Sequence, residues 1–263
     1  MIKYFIAGFL ALVLAGCGST SGGDENAGQS EADGAVVTAD TMLYVSDITV
    51  DSVPFIKLQM NPEAAYVTVA DSVIPSESDT KIALCVEAAF TGELLKEFKT
   101  TNVAGDYVID GRFRKGYKCR ANTGFMYADK ENYVISSSKN CSEWIKKAKA
   151  DGGSLFQQVL IVQNGRNVYG GKPIKPGSLN IYRSACIMND GSFAVIQSNS
   201  IMALKDFIAS LIKLGVRDAI YLDMGGGWNY GWYRPTEASK PVKLFMYRTP
   251  YQTNWLVIKA KDS

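Results

Sequence analysis

The chain has 263 residues, of which 47% are hydrophobic, so it can bury a core of ordinary size. Its formal net charge is only +2, and this balance gives no indication of a nucleic-acid partner. Histidine is absent, which excludes a Ser-His-Asp triad, a Cys-His pair and every His-ligated metal site. Hydrolytic chemistry would therefore depend on carboxylates, Arg, Lys, Tyr or a cation bound by oxygen.

The N-terminus has the pattern of an export signal. Lys3 supplies a positive charge, and the apolar run from Tyr4 to Leu14 is shorter than the ~20 residues that span a bilayer. Small residues precede Cys17, so this segment resembles the lipobox of bacterial lipoproteins. The resemblance implies a signal peptide over residues 1–16, acylation of Cys17 and a protein anchored to a membrane of the bacterial cell envelope. The alternative is an ordinary signal peptide with an incidental cysteine.

Residues 17–40 are rich in Gly, Ser, Ala and acidic residues, and this composition predicts a flexible tether. Residues 41–263 are predicted to form a single domain. No C-x-x-C spacing occurs, and we expect neither a metal site nor a cofactor. Four cysteines of this domain could be paired outside the cytoplasm or could be buried free thiols, namely Cys85, Cys119, Cys141 and Cys186.

The first half of the domain is predicted to be rich in strands. Alternating apolar and polar residues predict strands over 42–50 and 64–70. The continuous apolar run over 81–90 favours a buried strand, and residues 91–99 could form a short helix. Three glycines within 102–116 indicate strands joined by turns.

The second half mixes helices with strands. Asn140 to Glu143 has the form of a capping box, which predicts a helix that ends near Asp151. An apolar stripe from Ile201 to Ile212 predicts another, with Ser198 to Ser200 as its cap and Gly215 after its end. Strands are predicted over 155–163, 180–188, 192–197, 218–223 and 254–259, with turns at 164–165 and 189–191. Because strands and helices do not alternate regularly, we predict an α+β domain with a mixed β-sheet core and a few packed helices.

Asp223 is the strongest candidate for a functional residue. It stands where a buried strand gives way to Gly225, Gly226 and Gly227, and glycine lets backbone approach a ligand closely. The alternative is a glycine-rich turn in which the carboxylate only caps local amides.

Several short motifs in a fixed order resemble the phosphodiester glycosidase family. They are LIVQNGR at Leu160 to Arg166, Arg183-Ser184-Ala185, Asn189-Asp190-Gly191, Leu214-Gly215 and AIYLDMGGG at Ala219 to Gly227. The likeness extends from about residue 81 to the C-terminus. Met224, Gly227 and Glu87 depart from the family pattern, which has Gly, Ser and Asn at those positions.

The resemblance implies hydrolysis of the bond between a sugar anomeric carbon and a phosphodiester oxygen. Asp223 would act as nucleophile, general base or stabiliser of an oxocarbenium-like transition state. Glu87 is the second catalytic candidate, since burial suits a carboxyl to acid/base chemistry, although it could instead pair with a core Arg. Arg183 could clamp the phosphate through two hydrogen bonds, or form a structural ion pair.

The glycines after Asp223 would form the floor of the site, and Trp228 would bind a sugar ring. Tyr230, Trp232 and Tyr233 follow closely and could also stack on sugars, but such a group equally suits a buried hydrophobic cluster. The sequence thus favours an enzyme that acts on a carbohydrate or sugar-phosphate substrate without a cofactor. The alternative is a catalytically silent lipoprotein that binds glycans or envelope polymers.

Overall fold

The computed structural model describes residues 40–91, 103–225, 229–245 and 254–262. Contacts group residues 37–263 into one compact unit, and all the hydrophobic core clusters of the described residues lie within it. This part of the chain therefore has a hydrophobic core of its own. The predicted signal peptide, Cys17 and the predicted tether fall outside the described residues. Within the described ranges, no helix has the length and apolar character needed to cross a membrane.

Strands dominate the described part of the chain. In chain order they are β1 Leu43–Val50, β2 Val53–Met60, β3 Ala65–Asp71, β4 Ile82–Glu87, β5 Tyr107–Ile109, β6 Arg112–Arg114, β7 Gly124–Ala128, β8 Tyr133–Ser137, β9 Ser154–Gln158, β10 Leu160–Gln163, β11 Arg166–Asn167, β12 Leu179–Asn180, β13 Arg183–Met188, β14 Phe193–Ser198, β15 Met202–Ala203, β16 Val216–Leu222, β17 Gly231–Tyr233, β18 Val242–Phe245 and β19 Asn254–Ala260. The α-helices are α1 Cys141–Asp151 and α2 Leu204–Lys213.

The largest sheet has seven strands in the order β1-β2-β14-β13-β16-β10-β11. Every residue of β13 and β14 is buried, as expected for central strands that are covered on both faces. Helix α2 covers one face, where Phe207, Ile208 and Leu211 join the side chains of Cys186 and Tyr221 in a hydrophobic cluster.

The opposite face of this sheet packs on a five-stranded sheet with the order β18-β17-β4-β19-β3. Leu84 and Val86 of β4 belong to the same core cluster as Ala185, Ile220 and Leu222 of the seven-stranded sheet. The strand β4 is buried along its whole length. This packing brings the end of β4 close to the end of β16, and the candidate site lies there.

A third sheet, with the order β6-β5-β9-β7-β8, carries α1 on one face. Its Met126 and Phe156 reach the main core. The strands β12 and β15 form a separate two-stranded ribbon.

The predicted α+β class is confirmed in broad terms, but the domain is richer in strands than the prediction implies. All the named strand pairings among the described residues are antiparallel, so the predicted mixed sheet is wrong. The predicted strand over 155–163 is interrupted at Val159, because β9 and β10 belong to different sheets. The possible helix over 91–99 lies, apart from its first residue, outside the described residues.

Both predicted helices exist, and Gly215 follows the end of α2 at φ 79° as predicted, but the predicted N-caps do not form. Asn140 precedes α1 without a capping hydrogen bond from its side chain, whereas Gly152 ends the helix at φ 70°, a left-handed conformation that glycine adopts without strain. The residue before α2 is Ala203, so Ser198 to Ser200 stand too early to cap it. Ile201 is accordingly outside the helix and 69% exposed.

Candidate active site

Asp223 is placed by the ends of two strands from different sheets. It directly follows β16, and its backbone N–H donates a hydrogen bond of 3.1 Å to the carbonyl of Ala88, which directly follows β4. Asn254 fixes the same segment, because its side chain accepts from the Ala89 N–H at 2.8 Å and donates to the Ala89 carbonyl at 3.1 Å. The position of Asp223 therefore depends on the packing of both sheets.

The carboxyl of Asp223 is nearly enclosed, with 7% of the residue exposed. Burial raises its pKa to about 7, because a charged carboxylate loses water there, while the N–H groups of Gly225 and Met224 oppose the rise. The Gly225 N–H donates to Oδ1 at 3.0 Å. A carboxyl with a pKa near neutrality can both accept and release a proton at physiological pH.

Gly225 suits its position because any side chain there would crowd this carboxyl. A Cβ added at Gly225 would lie 3.3 Å from Oδ1 of Asp223, closer than most Cβ contacts. The predicted role of this glycine, close backbone approach at the floor of a site, is compatible with that geometry. Gly226, Gly227 and Trp228 lie outside the described residues.

Tyr221 and Asn180 hold the backbone that follows Asp223. The hydroxyl of Tyr221 accepts a hydrogen bond from the Met224 N–H at 3.0 Å, and the Asn180 side chain donates to the Met224 carbonyl at 3.0 Å. The ring of Phe90 packs 5.7 Å from that of Tyr221. The sequence did not predict the roles of Tyr221, Asn180 and Phe90. The one available signal was the two-residue period of a strand, which places Tyr221 on the same face as Asp223.

Glu87 is the last residue of β4 and is fully buried. Its charge interacts with the guanidinium of Arg183, which comes from the facing sheet. The alternative for Glu87 was a buried glutamate paired with a core Arg, and its electrostatic interaction with Arg183 is compatible with that interpretation. The structure brings Glu87 to the same strand end as Ala88, one residue from the carbonyl that binds Asp223.

Arg183 is also fully buried, on the face of β13 that points toward the five-stranded sheet. Its Nε and Nη2 donate to Oε1 of Gln197 at 2.9 and 2.7 Å, and further bonds reach the carbonyls of Asn229 at 3.3 Å and Tyr230 at 3.4 Å. Burial lowers its pKa to about 10, so it remains protonated at neutral pH. This geometry favours a positioning role over the predicted phosphate clamp.

Gly231 makes room for that guanidinium. A Cβ at this position would lie 2.9 Å from Cγ1 of Val86 and 3.1 Å from Nη2 of Arg183. Arg183 thus holds the backbone of Asn229 and Tyr230, directly before β17, which pairs with β4.

The aromatic residues after the glycines are mostly buried. Tyr230 and Trp232 belong to a hydrophobic cluster with Trp255, on the outer side of the five-stranded sheet. Arg234 is buried as well, with its guanidinium 5.3 Å from the centre of the Trp232 ring. Of the two interpretations of these aromatics, the hydrophobic cluster therefore applies to Tyr230 and Trp232.

Two further features lie apart from Asp223. Cys85, Cys119, Cys141 and Cys186 are all free thiols, of which Cys119 is half-buried and the others buried. A cavity of about 640 Å³ is lined by residues from both ends of the domain, among them Asp40, Glu63 and Asp262, and neither Asp223 nor Glu87 contributes to it.

The chain matches no family model and no curated protein at the level of sequence. Solved structures share its fold. One is the catalytic domain of zebrafish N-acetylglucosamine-1-phosphodiester alpha-N-acetylglucosaminidase, auto-inhibited by its pro-peptide, with 14% identity and a TM-score of 0.55 over 84% of this chain and 82% of that one. Another is a hypothetical protein from Synechocystis, with 11% identity and a TM-score of 0.50 over 83% of this chain and 62% of that one. The resemblance deduced from the motifs is thus supported at the level of the fold.

Proposed function

We propose that this protein is a glycosidase of the bacterial cell envelope that hydrolyses a sugar-1-phosphodiester bond. The observation that carries the proposal is the carboxyl of Asp223, which is buried at the end of β16 and bound by the Gly225 N–H. Its burial raises its pKa to about 7. The fold shared with the zebrafish phosphodiester glycosidase domain supports it.

The proposed reaction needs one carboxylate and one water molecule. The water oxygen bonds to the anomeric carbon while the bond from that carbon to the phosphodiester oxygen breaks. The electron pair of that bond leaves with the phosphate, which becomes a monoester, and Asp223 accepts the proton of the water. Because phosphate is a good leaving group, a general acid has less to contribute than in ordinary glycoside hydrolysis.

The other site residues have supporting roles in this proposal. Arg183 holds the backbone of Asn229 and Tyr230, and Glu87 stabilises the charge of the Arg183 guanidinium. Gly225, with Gly226 and Gly227, forms the floor on which the sugar lies, and Trp228 stacks on its ring.

The envelope location rests on the N-terminal sequence. Acylated Cys17 anchors the protein to a membrane, and residues 17–40 form the tether between that anchor and the domain. An anchored enzyme of this kind meets substrates at the membrane surface.

The decisive experiment is an assay of GlcNAc-α-1-phosphate esters with the wild-type unit of residues 37–263 and its Asp223→Asn variant. Asn keeps the shape of the side chain but cannot accept the proton, so turnover should disappear while the fold remains. Asp190→Asn is the matched control, because Asp190 lies in the β13–β14 hairpin, where it binds Ser192. Full activity in Asp223→Asn would refute the assignment.

A second function is favoured by the enclosure of Glu87 and Arg183, which leaves neither side chain open to solvent. A binding protein for glycans needs neither the second catalytic carboxylate nor the phosphate clamp that the resemblance implies for Glu87 and Arg183. Sugar binding by the wild type without hydrolysis of any ester in the panel would support this alternative.

A further inference from the structure

The segment of residues 112–120, here called the basic segment, concentrates positive charge on an otherwise balanced chain. It carries five basic residues and no acidic one, and all five are exposed: Arg112, Arg114, Lys115, Lys118 and Arg120. Lys115 pairs with Asp106 at 2.9 Å, and Arg114 lies 3.8 Å from Asp71. Within the described ranges no ion pair involves the other three, so the segment keeps a strong positive charge.

Aromatic rings stand among these cations. Phe113 is 40% exposed and Tyr117 is 43% exposed, so both rings keep a large part of their surface open to solvent. Guanidinium and ammonium groups bind phosphate oxygens, and exposed aromatic faces suit the apolar faces of sugar rings. Cations interleaved with rings therefore match a ligand that alternates phosphates with sugars.

Protection of a sheet edge does not account for the whole segment. The strand β6 is the edge of its sheet, and charged residues commonly prevent such an edge from pairing with another chain. However, β6 ends at Arg114, and Lys118 and Arg120 lie beyond it in no strand. Their charge needs another explanation.

Backbone hydrogen bonds attach the basic segment to the surroundings of Asp223. Tyr117 donates to the carbonyl of Val103 and accepts from the N–H of Gly105, both at 2.7 Å. The intervening Ala104 donates to the carbonyl of Phe90 at 2.7 Å, and the Phe90 ring packs on Tyr221.

Gly116 permits this attachment, because a Cβ there would lie only 1.8 Å from the Gly105 carbonyl oxygen. The segment is thus held against residues 103–105, which bind in turn to Phe90, two residues after the Ala88 carbonyl that binds Asp223.

We propose that the basic segment binds the extended part of a polyanionic substrate, a glycan whose sugars are joined by repeated phosphodiester groups. Lys118 and Arg120 bind phosphates beyond the bond that is cleaved, and Tyr117 stacks on a neighbouring sugar. This inference rests on the proposed function, since it names the substrate class of the same site.

Binding of a synthetic tetramer of GlcNAc units joined by 1,6-phosphodiesters tests the inference. The unit of residues 37–263 is compared with its Lys118→Gln/Arg120→Gln variant, and both carry Asp223→Asn so that no turnover intervenes. The double variant should bind the tetramer about tenfold more weakly, as two exposed charge contacts are lost. With Asp223 restored, it should hydrolyse methyl GlcNAc-α-1-phosphate at the wild-type rate.

Lys205→Gln/Lys240→Gln removes the same charge from exposed positions on α2 and between β17 and β18, and it should bind the tetramer as the wild type does. Unchanged tetramer affinity in the Lys118/Arg120 variant, or an equal loss in the control, would overturn the proposal. The proposal would also be overturned if the Lys118/Arg120 variant lost binding to phosphatidylglycerol vesicles but still bound the tetramer. That result would assign the segment to a lipid surface.

Failure of the proposed function gives a different pattern. Tetramer binding that depends on Lys118 and Arg120, without hydrolysis of any ester by the wild type, would remove the enzymatic assignment and keep the polyanion site. If the wild type hydrolyses the monomeric ester but the double variant binds the tetramer as tightly as the wild type, the enzymatic assignment stands and the polyanion site is removed.

Discussion

The backbone N–H of Asp223 and the carbonyl of Ala88 form a hydrogen bond of 3.1 Å that joins the ends of β16 and β4. The two strands belong to different sheets, so this bond exists only when the seven-stranded and five-stranded sheets are packed together. The carboxyl that carries the proposed chemistry is consequently buried at a junction of the core. Its protonation should therefore be coupled to the stability of the whole domain.

Asp223 should make the domain less stable as the pH rises from about 4 to 7. Burial raises its pKa from 3.8 to about 7, so the folded state binds the proton more tightly than the unfolded state does. The stabilisation from the protonated Asp223 carboxyl is complete below its pKa in the unfolded chain, 3.8. It is lost as the pH rises through its pKa in the folded domain, about 7. Three pKa units correspond to about 4 kcal/mol at most.

Thermal unfolding of wild type and Asp223→Asn at several pH values measures this coupling. The Asn side chain is neutral at every pH. The Tm of the variant minus the Tm of wild type should therefore be larger at pH 8 than at pH 4, by roughly 5–10 °C for a domain of this size. A Tm difference that does not change with pH would show that the pKa of Asp223 is not raised.

The rate of hydrolysis should depend on the same titration of Asp223, but it should rise with pH whereas the stability of the domain falls. Only the ionised form of Asp223 accepts a proton from water, so kcat/KM should rise with pH and reach half of its limit near pH 7. The measurement is a pH profile with a sugar-1-phosphodiester under conditions in which the protein stays folded. An activity that falls through pH 7 would assign the protonated carboxyl, acting as an acid, to the rate-limiting step.

Gly225→Ala should reduce turnover while the domain remains folded. The new Cβ would stand 3.3 Å from Oδ1 of Asp223, so the carboxyl has to shift by a few tenths of an ångström. Small displacements of a reacting group lower the rate strongly, and we expect a loss of about tenfold in kcat. Gly170→Ala is the matched control, because nothing lies within 4 Å of a Cβ at that position. Equal activities of the two variants would contradict the proposed role of Asp223.

Much of this arrangement could be predicted from local sequence. The strand that ends before Asp223 and the hairpin between β13 and β14 follow from apolar periodicity and turn residues, and both are present. The approach of Ala88 to Asp223 could not be predicted, because residues 135 positions apart meet only through the packing of two sheets.

The contacts of Arg183 could not be predicted from the sequence either. Its position on a buried strand was evident, but the sequence did not reveal that Gln197 and the carbonyls of Asn229 and Tyr230 occupy its donors. The strands β2, β7 and β8 were also missed. The pairs β1–β2 and β7–β8 are hairpins, but β2 and β7 also pair with β14 and β9, and the sequence does not reveal these distant partners.

Arg183→Lys should destabilise the domain although it preserves the charge. Lysine cannot reproduce the paired bonds of Nε and Nη2 to Gln197 together with those to Asn229 and Tyr230. Buried acceptors would lose their donors, at a cost of about 2–4 kcal/mol. Urea unfolding measures the change, with the exposed Arg166→Lys as control. An unfolding free energy equal to that of the control would mean that the buried bonds contribute little.

The free thiols should differ sharply in reactivity. Burial raises the pKa of Cys141 to about 11 and that of Cys186 to about 12, and it raises the pKa of Cys85 well above its ordinary value, so few thiolates form. Cys119 is only half-buried and lies in the basic segment. In the native unit of residues 37–263, a disulfide reagent such as DTNB should therefore modify Cys119 quickly and the other three slowly.

Unfolding without a reductant should expose all four thiols, and Cys119→Ser should remove the fast phase alone. The number of thiols after unfolding decides between the two interpretations that the sequence left open. Two missing thiols would reveal a disulfide, and a fast phase from several cysteines in the native unit would show that the core around Cys85 and Cys186 opens readily. A bound phosphodiester tetramer should slow the reaction of Cys119, since the proposed ligand covers the residues on both sides of it, Lys118 and Arg120.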